Sequence, residues 1–202
     1  EVAGAFRRYD FDVTRLIKAG AANAVAVEVF APEPHDLAIM WVDWSPTPAD
    51  KNMGLWGKAY LTVSGPLALR FPHVVSTLPL PALKPADLSI SAEVWNTTDA
   101  AVSGTVRGTI EQITFEKNVQ LKPREHAIVR FTPADTPALR IAEPRLWWPY
   151  RQGPQNLYTL ALEVEAGGSP SDGQQVTFGI QQMTSELTDK GHRLFKVNGR
   201  PV

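Results

Sequence analysis

From residue 88 to residue 95 the chain reads Leu-Ser-Ile-Ser-Ala-Glu-Val-Trp, a strict period of two. That period places Leu88, Ile90, Ala92 and Val94 on one face of a strand and small or polar groups on the other. The same signal returns over residues 102–116, 119–122, 127–131, 145–149, 157–164 and 176–180. Turn chemistry such as Asn96-Thr97-Thr98-Asp99 stands between the segments. Roughly seven short strands in about 100 residues describe an immunoglobulin-like β-sandwich. No long segment carries a helical period, so the expected class is all-β.

The first third has weaker patterning. Residues 24–30, Ala-Val-Ala-Val-Glu-Val-Phe, are rich in β-branched residues and bounded by Gly20 and Pro32, which predicts a strand. Residues 14–20 fit one helical turn that Asp12 or Thr14 caps and Gly20 ends. Further strands are predicted around 58–62 and 67–75, the latter at a sheet edge because Pro66 and Pro72 remove ladder donors. Residues 76–86 hold three prolines and no periodicity, which reads as a semi-rigid domain boundary. At the far end, Asn198-Gly199 between residues 193–197 and 200–202 predicts a tight hairpin, since both residues tolerate positive φ.

Between two predicted strands lies a stretch of another kind, residues 39–61. It contains Trp41, Asp43, Trp44, Pro46, Pro48, Asp50, Asn52 and Trp56, with three of the six tryptophans of the chain. The prolines exclude a continuous strand and disfavour a helix. A long loop with indoles and carboxylates at its base builds one wall of a ligand pocket, or else its tryptophans cap a sandwich.

Charge and composition exclude several classes. The net charge is −1, from 20 basic and 21 acidic residues without blocks of either sign, which argues against a nucleic-acid partner. No apolar run approaches a membrane span. With no cysteine there is no disulfide or thiolate metal site, and His35, His73, His126 and His192 are too scattered for an imidazole one. No cofactor is expected. The chain starts at Glu1 and stops at Val202 just after a turn signal, which reads as a fragment.

The order of landmarks resembles glycoside hydrolase family 2. The residues that carry it are Gly4-Ala-Phe6, Phe11-Asp-Val-Thr14, Trp41-Val-Asp-Trp44, Asn52-Met-Gly-Leu-Trp56, Leu146-Trp-Trp-Pro149, Gln155-Asn-Leu-Tyr158, Phe178-Gly179 and Phe195-Lys-Val-Asn-Gly-Arg-Pro201. Within the family the tryptophan-rich stretch is most similar to exo-β-D-glucosaminidases, with β-mannosidases and endo-β-mannosidases next and β-galactosidases further away. The resemblance implies a galactose-binding-like jelly roll, of which residues 1–75 are the C-terminal part, a linker at 76–86 and an immunoglobulin-like sandwich at 87–184. It further implies a hairpin at 185–202 that leads into a TIM barrel lying outside these residues, and a secreted or periplasmic location.

Family members of this type hydrolyse with a pair of carboxyl groups about 5–5.5 Å apart on barrel strand ends. The acid/base glutamate of the family follows an asparagine, and no Asn-Glu dipeptide occurs here. No catalytic residue is therefore expected in this chain. By the same resemblance the 39–61 loop leans over the barrel mouth, and the expected sugar contacts are Asp43, Trp44, Trp41, Asp50 and Asn52. A carboxylate between two indoles suits a sugar hydroxyl or a glucosaminyl ammonium. The competing fate of Asp43 is to accept backbone N–H groups within its own loop.

The implied partners are a carbohydrate at residues 39–61 and the enzyme's own barrel. A second copy meeting the exposed edges of an incomplete jelly roll is the third. A different class, a self-sufficient carbohydrate-binding β-sandwich, predicts sugar binding without any barrel. Trp147-Trp148-Pro149 reads as a fastener of the sandwich to its neighbour, and Glu163 with Glu165 as a solvent-facing strand side. Asn96-Thr97-Thr98 is a glycosylation sequon.

Overall fold

The computed structural model describes residues 2, 7–31, 53–55 and 57–202. The chain divides into two compact units, Glu1–Leu61 and Thr62–Val202. The fold is all-β, and the described residues include one short 3₁₀ turn at Pro137–Leu139.

In the first unit the helical turn forms where the sequence places it. Thr14 N–H donates to Asp12 Oδ1 at 3.0 Å, and Leu16 and Ile17 N–H donate to Val13 O at 2.8 and 3.1 Å. Gly20 follows with φ +71°. The segments 24–30 and 58–62 form no strand and pair with none among the described residues, and Val25 is 91% exposed. A β-branched sequence favours extended backbone; it does not supply the neighbour whose N–H and C=O groups make a ladder.

The second unit is a two-sheet sandwich. Its strands are β1 (Leu67–Thr77), β2 (Ala86–Asn96), β3 (Val102–Ile110), β4 (Ile113–Leu121), β5 (His126–Phe131), β6 (Arg140–Ile141), β7 (Tyr158–Ala166) and β8 (Ser169–Phe178), followed by β9 (Met183–Leu187), β10 (Arg193–Val197) and β11 (Arg200–Pro201). One sheet runs β1-β2-β5 with β6 also on β2; the facing sheet runs β4-β3-β7-β8. All the pairs within these two sheets are antiparallel.

The period of two decides the core. Leu88, Ile90, Ala92 and Val94 of β2 face inward, and so do Val106 and Ile110 of β3 and Leu160, Leu162 and Val164 of β7. Phe115 packs on Phe131 at 4.7 Å between ring centroids and joins the two layers. Each fully buried Leu or Ile contributes about 1.5–3 kcal/mol relative to exposure.

Three further expectations need correction. The boundary expected at 76–86 is a connection inside one sheet, because β1 pairs with β2 from Leu67↔Asn96 to Thr77↔Asp87. The proline-rich crossing therefore joins two strands of the sandwich, whose compact unit begins at Thr62. Next, residues 102–116 are not one strand. They turn at Glu111-Gln112 into the β3–β4 hairpin, with Glu111 at φ 53°. Finally, residues 145–149 form no strand, only isolated bridges from Leu146 to Ile180 and from Trp147 to Gln155. Pro144 and Pro149 bracket that segment and limit its ladder donors.

β1 does lie at the edge of its sheet. Its register shifts between Arg70 and His73, so Pro72, which has no N–H to give, sits in a bulge with Phe71 at φ 51°. At the start of β1, the side chains of β8 take up main-chain groups. Leu67 N–H donates to Ser171 Oγ at 2.8 Å, Ser171 Oγ donates to Leu67 O at 2.7 Å, and Leu69 N–H donates to Asp172 Oδ2 at 2.8 Å. Arg70 closes the corner on the same carboxylate at 3.0 Å. Satisfying those groups stitches β1 to the opposite sheet.

Candidate functional site

Asp43, Trp44, Trp41, Asp50 and Asn52 all lie outside the described residues. The described residues that follow them in the sequence, Met53-Gly54-Leu55, are exposed, with Gly54 at φ +108° and no described atom within 4 Å of an added Cβ.

Among the described residues no group of three or more His, Asp and Glu side chains is placed to hold a metal. His126 instead stacks on Trp95, with ring centroids 4.1 Å apart and planes 2° from parallel. Two open grooves lie on the outer face of the β4-β3-β7-β8 sheet, one lined by Ser103, Thr105, Asn118 and Glu165 and the other by Glu163, Gln174 and Gln175.

Two carboxylates of that face, Glu116 and Glu165, are engaged with a cation. Arg107 Nε donates to Glu116 at 3.0 Å and its Nη1 bonds Glu165. The hydrogen bond to Glu116 and then the charge of Glu165 push the Arg107 pKa further up. Arg145 is raised in the same way, first by hydrogen bonding to Tyr158 and then by the charge of Glu111. Both guanidinium groups lie at the surface. A raised pKa means that the stability each adds is present at all ordinary pH and is lost only in strong alkali. Glu163 and Glu165 sit on the solvent side of β7.

A second polar constellation lies at the C-terminal end of the sandwich. The last three strands form their own sheet, ordered β11-β10-β9. Asn198 and Gly199, at φ 51° and 79°, make the tight turn between β10 and β11. Asn198 is only 4% exposed and works in two directions. Its Nδ2 donates to Trp147 O at 3.0 Å, and its Oδ1 accepts from Gln182 N–H at 2.8 Å. Trp147 N–H donates to Ile180 O at 2.9 Å, and Arg200 lays its guanidinium 4.3 Å from the centre of the Trp148 ring. Both indoles rest on glycines: a Cβ at Gly179 or Gly153 would lie 2.7 Å from Trp147 or Trp148 respectively.

Trp147 and Trp148 therefore fasten the terminal sheet to the sandwich, within one compact unit. Sequence reasoning identified the tryptophans and the Asn-Gly turn but missed that the asparagine amide is the bolt between them. A buried Asn offers no periodic signal by which to find it.

The sequon proves to be structural. Asn96 is 1% exposed; its Nδ2 donates to Ala100 O at 2.7 Å and Lys122 O at 2.8 Å, and its Oδ1 accepts from Thr98 N–H at 2.9 Å. An amide so committed is closed to a glycosyl donor in the folded chain. Asn96→Ala leaves buried carbonyls without donors and is expected to lower stability by about 2 kcal/mol, read as a drop in the urea midpoint at unchanged m.

Comparison with known proteins places this geometry. The family model for glycosyl hydrolases family 2 matches residues 72–181, just over half of the chain. An exo-β-D-glucosaminidase of Streptomyces avermitilis is 40% identical over 201 residues, which is 99% of this chain and 22% of that protein. One from Amycolatopsis orientalis is 37% identical over 203 residues, 100% of this chain and 19% of that protein. The crystal structure of Amycolatopsis orientalis exo-chitosanase CsxA superposes with a TM-score of 0.73 at 35% identity, covering 83% of this chain and 19% of that one. The chain thus spans about a fifth of the length of the relatives it matches.

Proposed function

The chain belongs to the glycosyl hydrolases of family 2, and from that membership we propose that it is a non-catalytic accessory portion of a retaining enzyme that removes β-linked glucosamine from chitosan oligosaccharides. The observation that carries the reading is the 40% identity to an exo-β-D-glucosaminidase over 99% of this chain and 22% of that protein. In this reading the sandwich is a rigid spacer. The 39–61 loop supplies Asp43, Trp44, Trp41, Asp50 and Asn52 to a sugar pocket completed by the enzyme's barrel. The engagement of Glu116 and Glu165 by Arg107 supports a spacer role for the sandwich, since neither carboxylate is free to act as acid or nucleophile.

The test compares the 202-residue chain with one extended to the length of the relatives. On chitosan oligosaccharides the extended chain releases glucosamine from the ends and the shorter one releases none. A larger kcat/KM on a β-mannoside or β-galactoside than on a β-glucosaminide would overturn the sugar assignment. Calorimetric binding of chitosan oligosaccharides by the 202-residue chain, lost on Asp43→Ala, would replace the accessory reading with a self-sufficient binding module.

A further inference from the structure

We propose that Arg200 is a positioning residue: it clamps the β9–β11 sheet onto the sandwich and thereby fixes the direction of the polypeptide at Val202. The terminal sheet has little of its own to hold it. β9 and β10 have five residues each and β11 two, and three of their apolar side chains, Met183, Leu187 and Phe195, face solvent. Strands this short are marginal without a surface to pack on. Several of the contacts that supply one lie on the Trp147–Gln152 segment.

Arg200 makes two of them at once. Its ring-face contact with Trp148 lies at 4.3 Å, and its Nη1 donates to Gln152 O at 3.3 Å. Gln152 reciprocates, its Nε2 donating to Pro201 O at 3.1 Å. Only a planar, always-charged fork can lie flat on an indole and still donate in its plane, which a lysine ammonium cannot do. Arg200 is itself exposed and lies outside the hydrophobic core. Its removal is therefore expected to loosen the terminal sheet without melting the sandwich.

A fixed exit holds any domain attached beyond it in one orientation, as a pocket assembled from two domains requires. Only that consequence rests on the accessory reading proposed above; the clamp itself does not, and it is tested without a substrate. The measurement is amide hydrogen exchange by NMR on the 202-residue chain. The reporters are Asn198 and Val202, whose N–H groups donate to Gln182 O and Phe195 O, with Val106 and Leu162 of the core as references.

Arg200→Ala is expected to speed exchange at Asn198 and Val202 about tenfold with the references unchanged, and Arg200→Lys to fall between. Arg193→Ala, which removes a bond to Ser185 on the same sheet, is expected to leave Val202 unchanged. The proposal fails if Arg200→Ala leaves both reporters at their original rates. It fails equally if the references accelerate as much as the reporters, or if Arg193→Ala matches Arg200→Ala.

Discussion

Gly104→Ala is expected to cost the sandwich about 4 kcal/mol, near the upper end for a single methyl group, and to lower its Tm by roughly 8–16 °C. A Cβ at position 104 would lie 2.2 Å from Glu165 O and 2.5 Å from Leu67 Cδ1. The second neighbour is the tip of a side chain and can rotate. The first is main chain of β7, at the point where the β7–β8 register shifts between Val164 and Glu165. β7 cannot retreat there without breaking the Gly104↔Ala166 pairing. Nor can it carry β8 with it, since Ser171 and Asp172 are tied to β1. Gly173 is the control on the same sheet, because its added Cβ would find nothing nearer than Leu162 O at 3.7 Å. Gly173→Ala is expected to shift stability by less than about 1 kcal/mol, upward through a stiffer unfolded chain. Equal losses at the two positions would show that close approach of the β7 carbonyl is not what demands glycine at 104.

The contrast between those two glycines marks where the sequence was legible. Alternation at 88–95 revealed the buried face because the side-chain period of a strand is a local property. The Asn198-Gly199 turn was legible because its φ requirement is written into two residue types. The turn at Glu111-Gln112 was not, for neither residue carries a turn signal and Glu111 takes its left-handed backbone from the hairpin around it. The 76–86 crossing misled for a related reason. Proline-rich chain looks alike whether it joins two domains or two strands of one sheet, and only the non-local pairing of β1 with β2 tells them apart. The candidate sugar contacts were reached through the resemblance of the 39–61 stretch to family members, not through any pattern of period or spacing. Asn96 shows the converse: a sequon, whose meaning depends on the source having the machinery to use it, turned out to be a buried turn clamp.

Asp43→Ala, made in a chain extended to the length of the relatives, is expected to lower kcat/KM on β-glucosaminides on the order of 10- to 150-fold. That is the span of about 1.5–3 kcal/mol carried by a hydrogen bond to a charged group. A carboxylate that holds the sugar equally in the ground state and the transition state acts on binding alone, so the loss is expected in KM with kcat little changed. If the partner is the ammonium of glucosamine rather than a hydroxyl, a second comparison isolates it. A β-glucoside lacks the charge, so Asp43→Ala should reduce the preference for β-glucosaminide over β-glucoside by a similar factor. A hydroxyl contact would lower both substrates together and leave that preference intact. Unchanged kinetics on every substrate would assign Asp43 to the other fate open to it, accepting backbone N–H groups within its own loop. In that event the same substitution should appear as a loss of stability, of about 0.5–2 kcal/mol.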